Sequence, residues 1–314
     1  MKMDAAIAAV RELERNSHDN PQSQGRFSTA VYAMGLDDPD YPAGLRRLAT
    51  APPALFVRGP TGPLPSYSRC VAVIGSRRAS AEGLRLASDL ARGLAQEGVC
   101  VVSGLALGID AAAHQGALDG GGATLAVLAS AVDEPTPRRN HGLAERVLRG
   151  GGWLVSERPP GARVQAWEFP RRNRLVAATV ALVVVVEAGL RSGTLSTVEH
   201  ALALGIDVAA VPGPAVRPSC RGSNALLRRG ARWVECIDDV LDCLGREVAV
   251  ARHGAICDED ERAVLDGFVE RSGSPGRWLE ASSLPSDAAR GALARLVSRG
   301  ILRRLPGGLI GRVL

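Results

Sequence analysis

The chain has 314 residues, 38 Lys and Arg against 33 Asp and Glu, a formal net charge of +5 and 46% apolar residues. That length can bury a full core and accommodates more than one domain, while no apolar run is long enough to cross a membrane. The excess of positive charge permits an acidic partner without demanding one.

The start of the chain lacks the charged, apolar, small-residue order of a signal peptide. The six cysteines (Cys70, Cys100, Cys220, Cys236, Cys243 and Cys257) form no C-x-x-C pair and have no metal-ligand spacing, so they read as reduced thiols of a cytoplasmic protein, and no metal is expected. Residues 1–35 read as a poorly ordered segment, with a polar, Pro- and Gly-containing stretch over 17–26. Prolines then break up the chain through residue 53, and 54–57 reads as a short edge strand.

From Cys70 onwards apolar runs alternate with amphipathic segments. The pattern predicts strands at 71–75, 99–103, 123–128, 153–156, 180–187 and 207–211, separated by helices at 80–97, 109–118, 141–149, 170–178 and 194–204. Continuous apolar strands alternating with helices indicate an α/β fold, a Rossmann-like parallel sheet with helices on both faces. The domain is expected to span 36–245, a linker 246–255, and a small winged helix 256–314. The first helix of that segment begins Asp258-Glu259-Asp260-Glu261, whereas its third helix and wing carry Arg290, Arg295, Arg299, Arg303, Arg304 and Arg312 against Asp287 alone. They suit either DNA contact or protein docking.

Ligands of such sheets bind beyond the carboxyl ends of the strands, where the unusual residues gather. The first strand ends in Gly75-Ser76-Arg77, with Ser80 placed to cap a helix whose amino end could receive an anion. The second ends in Ser103-Gly104, leading through Gly108 to Asp110 and His114. The fifth ends in Glu187, followed by Ser192-Gly193-Thr194. Phe169, Arg171, Arg172, Asn173 and Arg174 precede the fifth strand and are aimed at the same rim. Small residues allow amides to line that rim, and three guanidiniums at one edge call for an anion between them, unless they form only a solvated face. Neither a G-x-G-x-x-G fingerprint nor a Walker A loop is present, so no nucleotide cofactor is expected.

Taken in order, these residues resemble the DNA-processing protein A family, DprA, also called Smf. The resemblance runs over residues 36 to 314. It includes Asp38-Pro39-Asp40-Tyr41-Pro42, Gly75-Ser76-Arg77, Ser103 through His114, Ser156-Glu157, Phe169 through Arg174, Val186-Glu187-Ala188 and Ser192 through Thr197. Leu128 to Asp133 and Thr136-Pro137 depart from the family pattern, which has a Gly-rich turn and Tyr-Pro at those places. The resemblance implies a non-enzymatic recombination mediator that holds and protects single-stranded DNA, helps load the RecA recombinase, acts in natural transformation or recombination, and forms a homodimer. It implies that Arg77, Arg172 and Arg174 engage phosphates, with Arg171 as helper. Gly75, Ser76, Ser103, Gly104, Ser192, Gly193 and Thr194 would supply amide or hydroxyl donors.

His114 and Asp110 could form an acid–base pair, but a structural hydrogen bond between helix and sheet is the expected role. Glu187, closing an apolar strand, is expected to order an arginine or accept backbone N–H bonds. Trp153 and Trp233 flank apolar strands and read as core, whereas Trp167 and Phe169 lie beside the arginine cluster and could stack on bases. Two other functions compete. One is a nucleotide phosphoribohydrolase, for which Glu199 is mis-spaced relative to Ser192-Gly193-Thr194; the other is a transcriptional regulator acting through the winged helix.

Overall fold

The structure is a computed structural model, described over residues 31–245, 259–267, 272–282, 284–298, 302–304 and 310–312. The chain forms two compact units, 1–244 and 245–314. The linker expected at 246–255 lies outside the described residues.

The strands of the first unit are β1 (Val31–Gly35), β2 (Ala54–Arg58), β3 (Cys70–Ile74), β4 (Cys100–Ser103), β5 (Thr124–Leu128), β6 (Trp153–Ser156), β7 (Leu182–Val185), β8 (Asp207–Ala210) and β9 (Arg232–Trp233). Its helices are α1 (Ala43–Arg46), α2 (Ala81–Gln96), α3 (Ile109–Asp119), α4 (His141–Arg149), α5 (Glu168–Ala178), α6 (Thr194–Ala203), α7 (Arg221–Arg228) and α8 (Ile237–Cys243). The sheet order is β1-β2-β6-β5-β4-β3-β7-β8-β9. Strands β3 to β9 run parallel, and β2 pairs antiparallel with both β6 and β1.

The two faces follow from strand alternation. Leu125 and Val127 of β5 pack in one cluster with Leu175 and Val176 of α5 and Val198 of α6. Ala126 and Leu128 pack in the other with Ala144 and Val147 of α4. Apolar strands buried on both faces are what a parallel sheet covered by crossover helices requires. Ser80 caps α2 as expected, its hydroxyl accepting the Gly83 N–H at 3.0 Å.

Two expectations are corrected. Residues 31–35 do not belong to a poorly ordered segment. They form β1, with Tyr32 and Met34 in one core cluster and Ala33 in the other. Trp233 is not core. It lies on the two-residue strand β9, which among the described residues pairs only with β8 at the end of the sheet, and it is 57% exposed. Trp153 is half-buried, its indole N–H donating to Pro60 O at 3.1 Å.

The second unit contains α9 (Glu259–Gly267), β10 (Ser272–Gly273), α10 (Pro275–Ala281), α11 (Ser286–Ser298), β11 (Leu302–Arg304) and β12 (Ile310–Arg312). The three strands form an antiparallel sheet in the order β10-β12-β11. α10 begins at Pro275 because Ser274 caps it and Pro275 fills its first turn, where a missing N–H is harmless. Trp278 is fully buried among Leu293, Leu296 and Leu302 and donates to Ile310 O at 3.1 Å. Arg295, itself partly exposed, pairs with the buried carboxylate of Glu261 at 2.9 Å, so its charge is in part taken up within this unit. Arg290 is exposed; Arg299 and the side chains of Arg303, Arg304 and Arg312 lie outside the described atoms.

Candidate functional site

Successive crossovers carry the chain from β3 through β4 and β5 to β6 on one side, whereas β7 lies on the other side of β3. The loops leaving β3 and β7 therefore diverge, which opens a crevice at the carboxyl ends of the strands. A cavity of about 690 Å³ occupies that place.

Its lining comes mainly from Gly75 to Arg78 after β3, from Gly104, Ala106 and Asp110 after β4, from Ser192 to Thr194 after β7, and from one stripe of α5. The stripe is Phe169, Arg172, Asn173 and Val176, the i, i+3, i+4, i+7 face of a helix. The loops are tied together by their backbones. Ser76 N–H donates to Glu187 O at 2.7 Å, and Ile109 N–H donates to Ser76 O at 3.2 Å. A Cβ on Gly75 would stand 2.6 Å from Ile109 Cγ1, so only glycine permits this approach.

Arg77 and Arg78 are exposed at the cavity, and no described residue forms an ion pair with either. The Arg77 guanidinium lies over the Phe169 ring, 5.5 Å from its centroid, which orients the charge without neutralising it. Arg172 is different. It is buried, with Nη1 donating to Gly104 O at 2.8 Å and also to Val127 O, and Nε donating to Asn173 Oδ1 at 3.3 Å. Asp110 faces it and accepts the Gly104 and Ala106 N–H groups at 3.1 and 3.4 Å. Burial raises the Asp110 pKa against the opposing pull of Arg172, and burial likewise lowers that of Arg172. Each charge keeps the other tolerable, and together they hold the β4 turn at the floor of the crevice. Ser192 Oγ donates to Thr194 Oγ1 at 2.9 Å, and Asn173 Nδ2 donates to Gly193 O at 3.2 Å, which fixes the β7 loop against α5.

Several predicted site residues lie elsewhere. Arg174 does not line the cavity: it is two residues from Arg172, hence on another side of α5, where it is buried and bonds Glu157 Oε2 at 2.6 Å. Arg171 shares that side and also pairs with Glu157, at 3.4 Å. Three guanidiniums therefore do not converge; Arg77 and Arg172 do. Ser103 is buried and donates to Val73 O at 2.8 Å, stitching β4 to β3. Gly108 has φ +81°, and a Cβ there would stand 2.2 Å from Ser76 O, so it serves the loop crossing and does not line the cavity.

His114 does not pair with Asp110. Its Nδ1 lies 2.8 Å from Thr124 Oγ1 at the start of β5, locking α3 to the sheet. Burial, with Arg172 adding to it, lowers its pKa to about 3, so the ring is neutral at physiological pH. The amino end of α2 does not face the crevice as an open anion seat. The Glu187 carboxylate occupies it, accepting Ser80 N–H at 3.1 Å and Ser80 Oγ–H at 2.7 Å. Burial would raise the Glu187 pKa, but these bonds, bonding to Ser219 and the charge of Arg217 hold it below its ordinary value. The strand-closing carboxylate thus accepts backbone and hydroxyl donors, as the sequence suggests, and in doing so takes the place expected for a ligand.

Sequence reasoning missed Arg78 and Thr197. The first adjoins Arg77, and the second lies one turn beyond Thr194 on α6; both line the cavity. Glu199 is exposed and lines a separate groove of about 490 Å³ between α6 and α7. Among the described residues no group of three or more potential metal ligands is found, and no helix is long and apolar enough to cross a membrane.

The fold and crevice define a doubly wound α/β protein whose strand-end mouth presents free guanidiniums beside hydroxyls and backbone groups. The model of the DNA recombination-mediator protein A family matches residues 33–245, and the chain belongs to that family. A DprA-type DNA processing protein of Mycobacterium tuberculosis is 44% identical over 281 residues, covering 84% of this chain and 71% of the relative. The X-ray structure of DNA processing protein A from Streptococcus pneumoniae superposes with a TM-score of 0.61 at 33% identity, covering 73% of this chain and 80% of that one. A solved structure of DNA processing protein A from Helicobacter pylori, reported for its single-stranded DNA binding mode, gives a TM-score of 0.60 at 26% identity, covering 69% of this chain and 96% of that one.

Proposed function

We propose that this protein binds single-stranded DNA through the strand-end crevice, holding phosphates at Arg77 and Arg78 while Arg172 and Asp110 shape the floor. The observation that carries this reading is the pair of exposed, uncompensated guanidiniums at the switch point of the sheet, beside the Ser192-Gly193-Thr194 loop. Phosphate binding by such groups releases counterions and is independent of sequence, as a mediator that takes up arbitrary strands needs. Ser76 and Thr194 bring hydroxyls and Gly75 and Gly193 backbone groups to the phosphate, Phe169 braces Arg77, and Gly104 and Asn173, already bonded to Asp110, Arg172 and the β7 loop, shape the rim. Loading of RecA and homodimerisation come with the family resemblance and are part of the proposal, as is action in the cytoplasm.

The second unit is proposed to be a winged helix, with α9 to α11 as its helices and β11 and β12 as its wing. Its basic side chains suit DNA or a protein partner. The enzyme alternative loses support because Glu199 lies in a different groove from the crevice.

Fluorescence polarisation on a labelled oligothymidylate and on a duplex of equal length tests the reading. Single strands are expected to bind more tightly at moderate salt; tight binding of the duplex alone would overturn it.

A further inference from the structure

We propose that Trp167 is a stacking platform for a nucleobase of the strand whose phosphates enter the crevice, an inference that rests on the single-strand reading above. Trp167 is 52% exposed, and its chain neighbours Ala166 and Phe169 line the crevice. Its stacking partner Arg171 puts the indole on the side of α5 away from the crevice stripe, so a base reaches it where the strand passes over the start of the helix at Ala166, which does line the crevice.

The ring is held in place from below. Its Nε1–H donates to Gln165 Oε1 at 2.8 Å, so the indole's one polar group is already satisfied. Gln165 N–H in turn donates to Glu168 Oε2 at 2.7 Å, and the buried Glu168 pairs with Arg158 at 2.9 Å. The Arg171 guanidinium lies over the indole, 5.7 Å from its centroid, and is itself braced by Glu157. A cation on one face of the ring leaves a stack of guanidinium, indole and base as the natural completion, and the fixed ring loses little freedom when the base arrives. Every base has a flat face, so this contact is sequence-tolerant, and it requires an unpaired base, which a duplex does not offer. Phe169 is the weaker candidate, being partly buried and so offering less open ring face than Trp167.

The test compares wild type, Trp167→Ala and Trp167→Phe on two labelled oligomers of equal length, oligothymidylate and an abasic phosphodiester chain. Wild type is expected to bind thymidylate more tightly than the abasic chain. Trp167→Ala should weaken thymidylate binding by about 5- to 100-fold. It should leave abasic binding unchanged, and Trp167→Phe should retain most of the preference. Equal weakening on both oligomers, or no weakening on thymidylate, overturns the stacking role while leaving the phosphate seat standing. Failure of wild type to bind either oligomer overturns the single-strand reading itself, and stacking with it.

Discussion

Replacing Arg77 and Arg78 by alanine removes the two guanidiniums that reach the crevice without a carboxylate partner, and the consequence is quantitative. A contact that neutralises one phosphate of a single strand contributes about 0.7 to the slope of log affinity against log salt. Each single substitution should therefore reduce the slope by about 0.7, and the double substitution by about 1.4. Over a fourfold rise in salt, each contact is worth about a 2.5-fold change in affinity. Arg174 provides the contrast, because the same chemistry is buried there against Glu157. Arg174→Ala should leave the slope unchanged and instead lower stability by about 3 kcal/mol, since Glu157 loses its shorter ion pair in a largely buried setting. Polarisation titrations on oligothymidylate at four or five salt concentrations, with thermal melts of each variant, measure both quantities. A slope unchanged in Arg77→Ala/Arg78→Ala, or reduced in Arg174→Ala as much as in Arg77→Ala, would refute the division between free and buried arginines.

Two further outcomes concern the scaffold. Arg172→Met strands the buried Asp110 carboxylate and the Gly104 and Val127 carbonyls, so chemical denaturation should show a loss of about 3–5 kcal/mol, with part restored by adding Asp110→Asn. Glu187→Gln weakens the bonds to Ser80 and should cost about 1.5–3 kcal/mol at neutral pH. Because the folded Glu187 pKa is depressed, its stabilisation is full above the ordinary value of 4.5 and is lost as pH falls through the folded value. The gap between wild type and Glu187→Gln should therefore narrow in acid, and a gap independent of pH would remove the carboxylate from this role.

Most of the parallel sheet was legible because its signal is local. Apolar runs such as Val71 to Ile74 and Leu182 to Val185 are long enough for one buried strand each, and glycines and polar residues punctuate them. β1 was missed because among the described residues it pairs only with β2, on the flank of the parallel core, and it follows a polar stretch that dominates the local composition. The crevice was also legible in outline, since strand-end loops must share one rim in a doubly wound sheet. Even the separation of Arg172 from Arg174 was implicit in helical spacing, in which residues two apart leave different sides of α5.

The order of residues by itself determined the α/β alternation, the rim at the strand ends and the loops that crown it, because hydrophobic period and turn chemistry act over a few residues. Only the tertiary structure decided which charges remain available to a ligand. Arg172 meets Asp110, Arg174 meets Glu157, and Glu187 fills the amino end of α2, whereas Arg77 and Arg78 stay open. Those pairings join segments far apart in the chain, and a charge is spent or spared according to what the fold brings within a few ångströms of it.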